Sequence, residues 1–324
     1  MIKIAAFIDP HYMRGTPRSR KDNYKMAILN KLVEIIEIGE EEKVDAFISS
    51  GDLFHKKGKF VEFSEVIDLM SIFLSTDIPI YGIAGNHDLI GHNIKTLNDN
   101  GIGVLIASKI INLLDKKPFH IKKENEEIYI TGKSYSEDYD TNKKSYNSEI
   151  SEKSALIVHV VHGMLVENSF FGKYSTIDEI SKSTNADIII CGHYHPGFGY
   201  IKKNGKHFIN PGAISRGTFI QNNFDRTPSI AIIEIDKKNV NVEIRKLKSS
   251  LPGKDIFKYE EKKIEEEYNK EIQEFGEMLN NEIRDIESED IMLALDEVAK
   301  IVNMGVDIIN KAKLYIEKAE QQGG

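Results

Sequence analysis

Five short stretches rich in Asp, His, Asn and Gly each close an apolar run of strand length, and this recurrence constrains the 324-residue chain more than any other feature. They are Asp9-Pro10-His11, Gly51-Asp52-Leu53-Phe54-His55, Gly85-Asn86-His87-Asp88, His162-Gly163 and Gly192-His193-Tyr194-His195. In open α/β sheets ligands bind beyond the carboxyl ends of the strands. Five distant strands converging on one edge would therefore bring these groups within a few ångströms of one another.

The segments between the motifs support that arrangement. Lys3 to Ile8 reads as a strand, 23–42 as a helix with Met26, Leu29, Leu32, Val33 and Ile36 on one stripe, and Asp45–Ser50 as a second strand. A helix over 62–75 and a strand over Pro79–Ala84 complete a βαβαβ run, which implies a parallel sheet covered by helices. Three short strands are expected within 101–132, and the polar stretch 133–153 reads as a long surface loop. Strands follow at Ser154–His162 and Ala186–Cys191, with a short helix at 176–182 between them. The runs 199–202, 206–209, 229–235 and 240–247 then read as a closing antiparallel meander. The expected fold is α/β, with two packed mixed sheets flanked by helices.

Leu251-Pro252-Gly253 breaks this pattern. Beyond it Ile264, Tyr268, Ile272, Phe275, Leu279, Ile283 and Ile286 step along one helical face, and Ser288-Glu289-Asp290 reads as the start of a second helix. Two domains are expected, 1–250 and a helical appendage over 255–324. Charge separates them too. The chain carries a net −8, but residues 255–324 hold 19 acidic and 9 basic side chains, a net of −10. The first 254 residues are thus left at about +2, so the acidic whole-chain balance does not exclude an anionic substrate.

No run approaches the roughly 20 apolar residues that span a bilayer, and the start, MIKIAAFIDPHY, does not read as a secretory signal. The single cysteine, Cys191, suits a reducing compartment, so a cytoplasmic protein is expected.

Imidazole, carboxylate and amide oxygen, with no thiolate, suit Mn, Fe or Zn class ions. The glycines Gly51, Gly85, Gly163 and Gly192 let the backbone turn as each strand ends. Two cations bridged by a carboxylate and roughly 3.5–4 Å apart clamp a phosphoryl group. His159 and His162 lie three apart on one strand and point to opposite faces; His159 is expected to pack inside the sheet. His92, His120 and His207 read as ordinary surface or packing residues.

The series D-x-H, G-D, G-N-H-D, H-G and G-H-x-H over residues 1–247 resembles the calcineurin-like metallophosphoesterase superfamily, with every motif intact. The resemblance implies a four-layer fold and two divalent ions, manganese in the first instance, with magnesium, iron or zinc as alternatives. It implies that Asp9, His11 and His195 hold one metal, that Asn86, His162 and His193 hold the other, and that Asp52 bridges them. His87 would be the proton donor or transition-state stabiliser, with Asp88 orienting it through a hydrogen bond.

Within the superfamily Gly51-Asp52-Leu53-Phe54-His55 resembles the SbcD-type nucleases of double-strand-break repair and recombination, which makes His55 a second active-site histidine. Asn210-Pro-Gly-Ala-Ile-Ser-Arg216 and the run from Arg226 resemble the phage-type members. Arg14, Arg18, Arg20 and Lys21 leave the first strand beside Asp9 and His11, where they could hold DNA phosphates. The resemblance implies a metal-dependent DNA exonuclease or endonuclease whose C-terminal helices dock on an SMC-like ATPase of SbcC type. It also suggests a homodimer, for which helix 62–75, with Phe63, Val66, Leu69 and Met70, is a candidate face. The alternative is a small-molecule or protein phosphoesterase of the same superfamily.

Overall fold

In the computed structural model the first apolar run forms strand β1 (Ile2–Phe7), whose side chains alternate between two cores. Ala5 and Phe7 point toward helices, while Ile2, Ile4 and Ala6 point toward a second sheet. That period of two is the signature of a strand buried on both faces. The structure describes residues 1–55, 61–115, 117–123, 126–140, 142–150, 155–168, 172–260 and 305–322, with positions 263, 264, 269, 270, 273, 295 and 299. The chain divides into two compact units, Met1–Phe257 and Lys258–Gly324.

Helix α1 (Tyr24–Glu42) begins at Asn23, whose side chain accepts the amide of Met26, and buries Ile28, Leu32, Ile35 and Ile36. Strand β2 (Ala46–Ser49), helix α2 (Phe63–Phe73), strand β3 (Ile80–Gly82), helix α3 (Gly101–Ala107) and strand β4 (Ile111–Leu113) follow. α2 starts with a capping box between Glu62 and Glu65. The second sheet takes β5 (Phe119–Lys123), β6 (Glu126–Lys133) and β7 (Leu156–Gly163). A small ribbon of β8 (Leu165–Val166) and β9 (Ser175–Thr176) then leads into α4 (Ile177–Ser183). β10 (Ile188–His193), β11 (Gly199–Lys203) and β12 (Lys206–Asn210) return to the second sheet. After α5 (Gln221–Asp225) come β13 (Ser229–Asp236), β14 (Asn239–Lys246) and α6 (Gly253–Ile256).

The two six-stranded sheets run β14-β13-β1-β2-β3-β4 and β11-β12-β10-β7-β6-β5. In the first, β1 to β4 are parallel; in the second, β12, β10, β7 and β6 are parallel. Ile4, Ile48, Val160, Ile190 and Ile233 interleave between the sheets. Phe7, Phe47, Leu32 and Leu69 form the core under α1, α2 and α3, and Ile157, Val161, Ile189 and Ile180 form the outer one. Each such buried side chain contributes about 1.5–3 kcal/mol of hydrophobic stabilisation. The expected α/β fold of two mixed sheets flanked by helices is observed.

Three expectations are corrected. The last four strands are not one meander: β11 and β12 pair in the second sheet, whereas β13 and β14 pair in the first. Residues 101–132 hold three strands but also α3, whose Ile102 and Leu105 are buried one turn apart. The stretch 133–153 is not simply a surface loop, because Tyr139 and Tyr146 are wholly buried under β7. On α2, Val66 and Leu69 belong to the core, while Phe63 and Ile67 are 87% and 59% exposed. Of the C-terminal helices, most positions over 261–304 lie outside the described residues; Val306–Gln322 is helical. Among the described residues no helix is long and apolar enough to cross a membrane.

Candidate metal centre

All five motifs lie at the carboxyl ends of parallel strands, three from one sheet (β1, β2, β3) and two from the other (β7, β10). The site therefore straddles the line where the sheets meet. Its backbone is unusual. Asp9, His11, Asp52 and His193 all have positive φ, at 48°, 44°, 50° and 78°. For residues with a Cβ this region costs on the order of 1–3 kcal/mol each, and it persists where surrounding structure holds a functional group in place.

Close approach explains the glycines. A Cβ on Gly85 would stand 2.1 Å from Asp52 Oδ1, and one on Gly192 would stand 2.4 Å from Ser50 Oγ and 2.8 Å from Asp9 Oδ1. Only bare backbone lets the carboxylates reach the cluster.

Two triplets, His11/Asp52/His195 and Asp52/His162/His193, each offer ligand atoms within 4.8 Å of one another, and they share Asp52. Asp52 Oδ1 accepts the His87 amide at 2.7 Å. Asp52 Oδ2 is buried without a hydrogen-bond partner and lies 3.4 Å from Nε2 of both His11 and His162. Nε2 of His11 and His195 face each other at 3.0 Å. His162 Nδ1 donates to the Ser50 carbonyl at 2.8 Å, so Nε2 turns toward Asp52 and toward Asn86 Oδ1 at 3.1 Å. Asp9 completes the ring, with Oδ2 accepting the His193 amide at 2.8 Å and lying 3.8 Å from His195 Nε2.

An orphaned buried carboxylate oxygen between two imidazole nitrogens needs a cation. The donors are oxygen and imidazole nitrogen, as divalent first-row ions prefer. The residues fit a pair of divalent metals.

Burial and close charges shift every titratable donor of the cluster, and a bound cation would displace the proton that His162 carries in its place. Burial lifts the Asp9 carboxyl to about 7 against the pull of His162. Burial also works against charge on His162, but Asp52 and Asp9 outweigh it and raise the imidazole to about 9. For Asp52 burial would raise the carboxyl, yet His162, His11 and His87 hold it well below the usual range. Burial depresses His193 to about 3 and His195 to about 4, so both are neutral at pH 7, the form that ligates metal.

His87 stands on the rim, its ring centroid 4.6 Å from that of His11 and 5.6 Å from that of His55. Its Nδ1 donates to the His55 backbone carbonyl at 2.7 Å. This corrects the role expected for Asp88. That carboxylate is buried and accepts the amides of Leu53 at 3.1 Å and Gly85 at 3.0 Å, so it pins two motif loops together and does not reach the His87 ring. His55 contributes a carbonyl to the orientation of His87, and its own exposed ring stands beside it.

The cationic loop is also corrected. Arg20 is 3% exposed, forks onto Asp22 at 2.7 and 2.6 Å and donates to the Arg216 carbonyl, so it holds the loop rather than a substrate. Arg14 is exposed but ion-paired with Asp68 at 2.9 Å. Arg18 and Lys21 are exposed.

Residues not singled out from the sequence also shape the site. The Ser50 carbonyl fixes the His162 tautomer, and Ser215 Oγ donates to the Asp9 carbonyl at 2.8 Å. The Tyr135 ring stands 5.8 Å from that of His193 and 6.0 Å from that of His162. Ser50 directly precedes Gly51-Asp52 and Ser215 lies within the Asn210–Arg216 motif, both usable signals; Tyr135 carried none. His159, as expected, packs inside, between Thr131 Oγ1 at 2.8 Å and the Ser145 carbonyl at 3.1 Å.

Residues 2–197 match the family model for calcineurin-like phosphoesterase. No curated protein sequence matches the chain. Among solved structures, a dimetal phosphatase from Danio rerio superposes with a TM-score of 0.51 at 12% identity, over 77% of this chain and 98% of that one. The calcineurin-like phosphoesterase YfkN from Bacillus subtilis gives 0.48 at 14% identity, over 76% of this chain and 90% of that one. At these identities the likeness concerns the fold alone.

Proposed function

The chain belongs to the calcineurin-like phosphoesterase family, and on that premise we propose that it is a DNA nuclease of SbcD type, cleaving phosphodiester bonds with two divalent ions, manganese by preference. The observation that carries hydrolysis at phosphorus is the pair of triplets sharing Asp52, with the His55/His87 pair on their rim. When bound, the ions supply Lewis acidity toward the phosphoryl oxygens and an activated water for in-line attack.

The chain's own residues do the rest. Asp9, His11, Asp52 and His195 would hold one ion; Asp52, Asn86, His162 and His193 would hold the other. His87, its Nδ1–H held by the His55 carbonyl, acts in its imidazolium form: Nε2–H faces the departing 3′ oxygen and gives up its proton as the P–O bond breaks, leaving a neutral ring. Exposed Arg18 and Lys21 remain to meet the DNA backbone. The choice of DNA rests on the SbcD-like motifs. The acidic segment 255–324 is proposed to dock on an SMC-like ATPase, which would extend the surface offered to DNA. A second reading is a phosphodiesterase acting on a smaller substrate: with Arg14 and Arg20 tied down, the loop after β1 offers a polymer only Arg18 and Lys21.

End-labelled linear DNA with Mn²⁺, alongside a small aromatic phosphodiester and a phosphomonoester, tests the choice. Mn-dependent shortening of DNA, lost in His87→Ala, supports the nuclease. Turnover of the small diester with DNA left intact would move the activity to the second reading.

A further inference from the structure

A cavity of about 260 Å³ lies between the start of α1 and the segment after β14, and it is lined by Arg20, Lys31, Arg216 and Ser249. Lys31 is 1% exposed, its ammonium lying in the field of the Arg216 and Arg20 guanidiniums with Asp22 as an offsetting acidic group. Arg216 is 2% exposed; its terminal nitrogens donate to Ser250 Oγ and to the carbonyls of Arg226, Asn223 and Leu251, but Nε has no partner. Ser249 Oγ is likewise buried without a partner.

Three cations line this cavity with one carboxylate, Asp22, which Arg20 already occupies with both fork nitrogens. Arg226 adds to the positive field from nearby, so that burial, then Arg216, Arg20 and Arg226, press the Lys31 ammonium well below its usual range. Uncompensated buried cations are strongly unfavourable, and buried donors without acceptors are rare in folded proteins.

Two unpartnered donors, Arg216 Nε and Ser249 Oγ, with a buried lysine on a small void of net positive charge, are complementary to a tetrahedral oxyanion, which accepts from several directions at once. We propose that this cavity binds a phosphate group, free or carried by a small phosphomonoester, at a site separate from the metal centre. The inference does not depend on the nature of the diester substrate.

The full-length chain is titrated calorimetrically and melted with inorganic phosphate in the presence of EDTA, against chloride at matched ionic strength. Saturable binding and a rise in Tm are expected for the wild type. Lys31→Met, close in volume, should weaken phosphate binding at least ten-fold and, without phosphate, melt no lower than the wild type. Ser249→Ala, a mild change that removes only the hydroxyl, should weaken binding several-fold. His162→Ala, which disables the metal centre, should keep the full phosphate response. Substituting 2′-deoxyadenosine 5′-monophosphate identifies the source: tighter binding points to a nucleotide's phosphate, and weaker binding to the free ion. Absence of saturable binding into the millimolar range would overturn the proposal. So would an undiminished response in Lys31→Met, or loss of the response in His162→Ala.

Discussion

At the scale of residues, the metal centre was legible because its donors sit in short contiguous motifs, each at the end of one strand. Partners were less legible. A carboxylate next to a histidine does not declare its donors, and the backbone amides of Leu53 and Gly85 that claim Asp88 are invisible in the sequence. The same holds for Arg14 and Arg20, whose freedom depends on Asp68 and Asp22. The glycines provide a test. Gly85→Ala must displace Asp52, so metal affinity should fall roughly 10–100-fold with the fold retained; metal content after dialysis checks it, and unchanged content would show that Asp52 is free to shift. His159 supplies a pH test. Burial lowers it from 6.5 to about 4, so the unfolded chain binds its proton more readily. Its contribution to stability is full above pH 6.5 and is lost as pH falls toward 4, amounting to about 3 kcal/mol. In His159→Asn, denaturant midpoints should therefore decline less between pH 6.5 and 4 than in the wild type.

At the scale of elements, the alternation of apolar runs placed β1, β2, β3, β7 and β10 well, because strands buried on both faces leave a continuous signal. Sheet membership was not readable. Two hairpins in succession look like one meander, and only the long crossing from β12 to β13 sends the second to the other sheet, where β13 pairs with β1. α3 was missed because seven residues with two glycines give too short a helical period. In the loop before α1 Arg20 is the buried anchor, since it joins Asp22, the Arg216 carbonyl and the Tyr24 and Phe257 rings. Removing one partner of such a buried pair typically costs 3–5 kcal/mol. Arg20→Ala should accordingly lower stability by about 3 kcal/mol in urea melts, an effect far larger than loss of a surface phosphate contact would give.

At the scale of the whole molecule, the division into Met1–Phe257 and Lys258–Gly324 separates the metal centre from the acidic helical segment. A chain ending after Phe257 should keep hydrolysis of a small diester; loss of hydrolysis instead would tie the segment to the chemistry. Everything in the account turns on Asp52 as the carboxylate shared by two ions. The direct measurement is the number of divalent ions per chain, with small-diester hydrolysis, in the wild type and in Asp52→Ala. A shared Asp52 requires two ions and turnover in the wild type, and in the variant at most one weakly held ion with hydrolysis lost. Two retained ions, or turnover that survives the substitution, would contradict it.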